Sequence, residues 1–293
     1  MSVSEGPAGA VDVSACLGLE LPDTESPGRF RRSDVMIITG AGAAVTTFQN
    51  RPFLLYGAAF PIGGGMVSVV IPTLDAEREL VDTLSALVPA VVDEVVREVI
   101  IVDGGSTDRT EALANASGAR FLAGESGRGP QLAAGAEVAR HPWLLFLHAD
   151  TVLEEGWYRE VANYMAQADR SNPRERAAVF RFGLDDSGWR PRMIEAGVAL
   201  RCHLFSMPYG DQGLLISRNL YDEIGGYRDL PLFEDVDIVR RLGRRRLRML
   251  KSRAVTSAAR YQETGYLRRV LRNWWCVVLY ACGAPIERIE RVY

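Results

Sequence analysis

The feature that most constrains this chain is an alternation of β-branched apolar runs with helical stretches, starting at Met66. Val67-Ser68-Val69-Val70-Ile71 is almost continuously β-branched, the pattern of a strand covered on both faces. Pro72 closes it, and Leu80, Leu84 and Leu87 recur at helical spacing over residues 77–88. Val99-Ile100-Ile101-Val102 predicts a second buried strand. After it come the turn Asp103-Gly104-Gly105-Ser106-Thr107-Asp108 and a helix over 108–117. Arg120-Phe121-Leu122-Ala123 predicts a short strand, 130–139 a further helix, and Trp143 to Leu147 a fourth strand. This spacing implies a mainly parallel α/β sheet flanked by helices. In such sheets ligands gather beyond the carboxyl ends of the strands, so the residues just after each strand are the site candidates.

Composition narrows the class. The 293 residues are 47% hydrophobic and 24% charged, which predicts a soluble globular protein. A net charge of −3 argues against a nucleic-acid binder. Cys16, Cys202, Cys276 and Cys282 form no CxxC pair, so they read as reduced thiols. No apolar run approaches the ~18 residues of a membrane span, and the N-terminus lacks a secretory-signal layout. The expectation is a cytoplasmic protein, with a peripheral position on the inner membrane face as the alternative. Residues 1–65 are rich in Gly, Ala, Pro and Ser and read as a poorly ordered N-terminal extension. Within them Gly40-Ala41-Gly42 fits a nucleotide-binding G-x-G but lacks the third glycine and a following helix. The triple glycine Gly63-Gly64-Gly65 is read as the joint to the main domain, 66–293.

Three strand ends carry chemistry. The first offers Pro72, Thr73 and Glu77; the second Asp103, Gly104, Gly105, Ser106 and Asp108; the fourth His148 and Asp150. An acid directly after a buried strand can accept hydrogen bonds from a nucleoside. The glycines let backbone amides approach phosphate, and Ser106 and Thr107 stand where a helix cap presents free N–H groups. A capped tight turn explains the same residues without a ligand. In the loop Gly124 to Gln131, Arg128 is placed to neutralise a phosphate, and a plain surface loop is the competing reading. Asp150 offers a hard oxygen for Mg²⁺ or Mn²⁺.

Taken in order, VVIPTLDAERELVDTLSAL, VIIVDGGSTDRT, GRGPQLAAGA and LLFLHADT resemble the family-2 glycosyltransferases with the GT-A fold. Tyr209 to Leu242, YGDQGLLISRNLYDEIGGYRDLPLFEDVDIVRRL, is similar to that family's acceptor and catalytic-base segment. The GRxxQ and HAD patterns resemble a small bacterial subgroup associated with arsenosugar biosynthesis and radical-SAM gene neighbourhoods. The resemblance covers about Met66 to Tyr266. It implies a GT-A Rossmann-like sheet and a nucleotide-diphosphate sugar donor, foremost a UDP-sugar. It also implies a hydroxyl or carboxyl acceptor, small or lipid-like, and a divalent cation, Mn²⁺ or Mg²⁺. By the same resemblance Asp103, with Pro72 and Glu77, surrounds the nucleoside, Asp150 is the last acid of a metal-binding D-x-D, and Asp235 of Glu234-Asp235 is the general base. His148 departs from the family, which more often has an acid there; an imidazole can still ligate the metal.

Transfer from a nucleoside diphosphate builds negative charge on the leaving phosphate and positive character on the sugar. Asp150 with its cation, helped by Arg128, would stabilise the first; a carboxylate opposite would take the acceptor proton, which inverts the anomeric centre. Glu234, Asp235 and Asp237 crowd three acids into four residues, which raises at least one pKa; an acidic helix N-terminus is the bland alternative. Gly104, Ser106, Gln131, Asp211, Gln212 and Arg241 complete the expected nucleotide-sugar contacts, and residues 183–210 are expected to be loops that choose the substrate. Arg240 to Arg253 reads as a solvated helix end running into a strand. Leu267, Val270, Leu271, Trp274, Trp275, Val278 and Leu279, with arginines between, predict an amphipathic helix. It packs on the domain or lies on a membrane surface. Two rivals remain: a non-catalytic nucleotide-binding scaffold, and a sugar-nucleotide nucleotidyltransferase, for which PTLDAERE lacks the expected G-x-G-T-R loop and lysine.

Overall fold

A computed structural model describes residues 66–171, 177–205, 208–230, 232–282, 284 and 288–289. All belong to the unit Ala58–Tyr293. The extension over 1–65, its G-x-G segment and Cys16 lie outside the described residues. One sheet of eight strands dominates, in the order β3-β2-β1-β4-β7-β6-β8-β5. Its first half is parallel: β1 (Val67–Thr73) lies between β2 (Val96–Asp103) and β4 (Trp143–Phe146), and β3 (Arg120–Ala123) flanks β2. β7 (Leu214–Ser217) pairs antiparallel with β4 and with β6 (Ala177–Leu184). β8 (Leu247–Thr256) runs parallel to β6, and β5 (Thr151–Leu153) closes the sheet antiparallel to β8.

Every residue of β1 is buried, as its unbroken β-branched run requires. Val67, Val69 and Ile71 face a core with Leu80 and Leu87 of α1 (Leu80–Val92) and Trp157, Val161 and Met165 of α4 (Trp157–Ser171). Val70 faces the other way, toward Leu132 and Ala136 of α3 (Arg128–Val138), Leu220 of α6 (Arg218–Glu223) and Ile238 of α7 (Glu234–Leu242). A Cβ on Gly135 of α3 would come within 2.3 Å of Val70 Cγ1, so the helix approaches the sheet as closely as a bare glycine permits. Ser68, the polar residue of the run, donates to Glu98 at 2.8 Å, and Glu98 is paired with Arg140 at 2.9 Å. Burial thus leaves neither group unsatisfied.

Helix α1 continues past the expected end at Val88 and through Pro89 to Val92. α2 starts at Thr110, not Asp108, and ends at Ala116, while α3 begins at Arg128, two residues before the expected 130. The largest departure is at residues 183–210, expected as loops. They hold a 17-residue helix, α5 (Trp189–Phe205). Its apolar residues are spread around the axis without a stripe, so the periodic signal that reveals an amphipathic helix is missing. α8 (Ala259–Thr264) and α9 (Tyr266–Ala281) end the described fold. Among the described residues no helix is long and apolar enough to cross a membrane.

Candidate active site

The carboxyl ends of β1, β2 and β4 lie side by side, since Thr73 pairs with Asp103 and Val70 with Phe146. Their loops are laced together. Asp103 is buried, and its Oδ2 accepts the amides of Gly105 at 3.0 Å and Ser106 at 2.7 Å. Its Oδ1 accepts the hydroxyls of Thr73 at 3.0 Å and of Ser106. Burial alone would raise the Asp103 pKa, but the hydrogen bonds from Ser106, Thr73 and Gly105 outweigh it and hold the carboxyl below its ordinary value. The β1–α1 loop joins in. Asp75, at φ 49°, donates its amide to Ser106 Oγ at 2.8 Å and accepts the Thr107 amide at 2.8 Å. Asp108 accepts the Glu77 amide at 2.9 Å and caps Thr110. Glu77 itself chelates Arg109, with Nε at 3.0 Å, and this lowers its pKa.

The same lacing engages the amides of the glycine turn. The Gly104 amide donates to the Thr73 carbonyl at 2.9 Å, and those of Gly105, Ser106 and Thr107 go to Asp103 and Asp75. With all four amides paired inside the protein, the turn is held as a fixed floor. Three side chains expected at the ligand are also committed elsewhere. Gln131 is buried and spends its amide nitrogen on the carbonyls of Thr73 at 2.8 Å and Val102 at 2.7 Å. Gln212 is buried, donating to the Phe180 carbonyl at 2.9 Å and accepting from Cys202 Sγ at 3.2 Å. Arg241 pairs with Asp237 and donates to the Ile224 carbonyl, both at 2.6 Å, which fastens α7 to the end of α6. Groups satisfied in this way hold the walls of the site in place. Pro72 is likewise inside β1, in register with Val102.

The remaining residues converge. β4 ends at Phe146, and His148, Ala149 and Asp150, all half-buried, form its link to β5. The Ala149 carbonyl accepts the Thr83 hydroxyl at 2.7 Å, anchoring this link on α1. Opposite stands the tight turn Gly210–Gln212. A Cβ on Gly210 would fall 2.6 Å from His148 Nε2, so glycine is what lets the imidazole and this turn meet. The Gly210 amide donates to Asp235 Oδ2 at 2.6 Å, and Asp235 Oδ1 accepts the Val236 amide at 2.7 Å. The ED pair opens α7 directly after Phe233, a bulky residue held at φ 65°. Such strain before a functional pair persists only where the surroundings enforce it; here the Phe233 ring packs on Tyr280 of α9 at 4.7 Å.

Two carboxyls are strongly perturbed. Glu234 is buried, and burial first, then the neighbouring Asp235, pushes it up to about 7, with Arg128 at 4.0 Å opposing. Asp211 is pushed up to about 6 by burial, against the pull of Arg201 and with the charges of Asp235 and Asp150 adding to the rise. Its Oδ1 is sealed from solvent without a hydrogen-bond partner. Sequence reasoning named Asp211 and expected crowding to perturb the acids, but missed Arg201, whose guanidinium lies 3.5 Å from the centre of the Tyr209 ring. The available signal was an arginine inside the apolar stretch VALRCHLF.

Among the described residues no three His, Cys, Asp or Glu side chains stand close enough to cage a metal. Yet the donor set fits a divalent cation that takes most of its ligands from a substrate. Asp150 and His148 offer one hard and one borderline donor, and the orphaned Asp211 oxygen feels the negative charge of Asp150 and Asp235. A cation there would relieve that repulsion.

Comparison with known proteins places this geometry. The family model described as Glycosyl transferase family 2 matches residues 68–205. Glucosyl-3-phosphoglycerate synthase of Mycolicibacterium paratuberculosis is 34% identical over 98 residues, 30% of this chain and 30% of that protein. A PGL/p-HBAD biosynthesis glycosyltransferase of Mycobacterium bovis is 35% identical over 103 residues, 31% of this chain and 37% of its own length. The chain thus spans 30% and 37% of these two curated relatives. In three dimensions it resembles glucosyl-3-phosphoglycerate synthase from Mycobacterium tuberculosis, solved with Mn²⁺, uridine diphosphate and glucosyl-3-phosphoglycerate. That match has a TM-score of 0.53 and 22% identity over 81% of this chain and 88% of that one. A complex of the same synthase with Mn²⁺, UDP-glucose and phosphoglyceric acid aligns at a TM-score of 0.51 and 20% identity, over 80% and 86%. Residues 68–205 thus match the glycosyl transferase family 2 model, and the chain has the GT-A fold.

Proposed function

We propose that this protein transfers a sugar from a nucleoside diphosphate sugar, foremost a UDP-sugar, to an acceptor hydroxyl or carboxyl, inverting the anomeric centre. The observation that carries this reading is the meeting of Asp150, Asp211 and Glu234-Asp235 beside the loops of β1 and β2. The complexes of the M. tuberculosis synthase with UDP and Mn²⁺ support the choice of donor and cation.

Asp103, Asp75 and Glu77 fix the floor on which the nucleoside lies. Asp150 and His148 would hold the divalent cation; bound there, it supplies Lewis-acid stabilisation of the leaving diphosphate. Arg128, at the first turn of α3, adds a fixed cation on the same side. Asp235 is the general base: half-buried, oriented by the Gly210 and Val236 amides, and within reach of a hydroxyl entering past Asp211. Glu234 beneath it holds a proton near neutrality, which spares Asp235 a second negative charge at its side. UDP-glucose turnover with Mn²⁺, compared between the wild type and Asp150→Ala, tests the reading. Loss in the variant supports it, and turnover unchanged without Asp150 removes it.

The same reading includes residues 66–293 as one transferase domain and a peripheral place on the cytoplasmic membrane face. The observation favouring the latter is α9, where Leu271, Trp274, Trp275 and Val278 are exposed among Arg268, Arg269 and Arg272. Flotation with vesicles containing phosphatidylserine tests it; absence of binding at low salt removes it.

A further inference from the structure

Helices α5, α8 and α9 enclose a cavity of about 810 Å³ that the mechanism above does not use. It lies toward the upper end of the roughly 300–1,000 Å³ usual for small-molecule sites. It adjoins the active site at Asp211, which lines it beside Arg201 and Tyr209 and feels the charges of Asp235 and Asp150. Its walls are of another character. Trp189, Met193, Leu200 and Trp274 line it while being 68%, 64%, 58% and 54% exposed. Large apolar side chains left open around a concavity mark a surface that gains by being covered. The charges in the lining are one-sided. Arg190, Arg201 and Arg268 face a single acid, Asp211, and among the described residues neither Arg190 nor Arg268 has an ion-pair partner. Arg190 lies against the Trp189 ring at 5.5 Å, its charge directed along an aromatic wall.

We propose that this cavity is the acceptor subsite and that it takes an amphipathic acid: a hydroxyl presented to Asp235, an extended apolar body along α5 and α9, and an anionic group at Arg190 and Arg268. This rests on the glycosyl-transfer reading and adds the acceptor's class to it. A short polar acceptor would leave the apolar wall wet and the two outer arginines unused. The hydroxyl end belongs at Asp211, since that is where the cavity opens on the catalytic acids.

Gly197 supplies the test. It lines the cavity from inside α5, and a Cβ there meets nothing within 4 Å. Gly197→Leu therefore starts from open space at Cβ, projects its side chain into the cavity and improves helix propensity. The wild type is assayed with UDP-glucose and Mn²⁺ against 12-hydroxydodecanoate and phosphoglyceric acid. The hydroxy fatty acid is expected to give at least tenfold higher kcat/KM. The dye 1-anilinonaphthalene-8-sulfonate, an anionic aromatic amphiphile, should bind saturably and be displaced by 12-hydroxydodecanoate. Gly197→Leu should weaken the dye and the hydroxy acid at least tenfold while UDP affinity stays within twofold. Should that variant not fold, Arg268→Glu, on the surface, serves: KM for 12-hydroxydodecanoate rises at least fivefold, with the neutral dodecane-1,12-diol unaffected. Preference for phosphoglyceric acid, or dye and hydroxy-acid binding indifferent to both substitutions, overturns the proposal. A wild type that binds no UDP would instead overturn the transfer reading, and dye binding would still decide the ligand class of the cavity.

Discussion

The two ends of the sheet solve opposite problems. Around β1, β2 and α3 every polar group named above has a partner: Asp103 accepts four hydrogen bonds, and Gln131 bridges two strands. Around β6, β7 and α7 the structure tolerates a carboxylate oxygen with no partner at Asp211, a buried acid near neutral pKa at Glu234 and a strained Phe233. Each such feature costs stability, roughly 1–3 kcal/mol for an unsatisfied buried group or a strained backbone. The first region is a fully paired platform, and the second holds the uncompensated charge from which the proposed chemistry would draw. Substitutions should separate them: changes on the platform appear as lost stability, changes at the acids as lost activity.

The largest effect is expected at Asp235. Removing a general base typically lowers the rate ~10²–10⁴-fold. Asp235→Asn keeps the side-chain shape, and its remaining oxygen can still accept the Gly210 amide. Steady-state transfer should fall about 10³-fold, while UDP affinity by calorimetry stays within threefold. Transfer at the wild-type rate would give the base role to another group. Asp150→Ala comes next: about a 10²-fold loss in kcat/KM, with the cation-dependent part of the UDP thermal shift abolished. A retained cation dependence would move the metal away from β4.

On the platform, Gly135→Ala is the converse test. Its new Cβ would lie 2.3 Å from Val70 Cγ1 and 3.1 Å from Val102 Cγ2. Overpacking of this kind costs about 1–3 kcal/mol, read as a lower urea midpoint with unchanged KM. A KM change larger than the stability loss would mean that the platform and the acids are not separable.

The same contrast explains what the sequence made legible. The strand–turn–helix units from Val67 to Leu147 depend on neighbours in the chain, so β-branched runs, Pro72 and the glycine turn reveal them directly. Even there the fate of the turn amides was hidden. Glycine and serine announce a turn, while only the fold decides that Asp103 and Asp75 take the N–H groups that a phosphate might have used. The far half depends on distant partners. β6 pairs with β7 and β8, through residues more than 30 positions apart in sequence; its run Ala177–Leu184 (AAVFRFGL) carries a strand signal but says nothing of those partners. α5 has no apolar stripe to read. Asp211 and Glu234 were legible as acids, but their burial comes from the packing of α5, α7 and the Gly210 turn, which no local pattern encodes.

The smallest effect concerns the buried acid itself and has a definite sign in pH. Glu234 titrates near 4.5 when unfolded and about 7 when folded. Between these values the folded chain holds a proton that the unfolded chain has released, so this group makes folding less favourable as pH rises from about 4.5 to 7. Glutamine at 234 keeps the volume and removes the titration. Glu234→Gln should therefore gain on the wild type steadily across that window, by on the order of 1 kcal/mol or more at pH 8, and the two curves should run parallel above it. Urea midpoints at half-unit pH steps give the comparison directly. A difference independent of pH would mean that Arg128, 4.0 Å away, keeps Glu234 ionised. The protonated partner that leaves Asp235 as the sole charge of the pair would then have to be sought elsewhere.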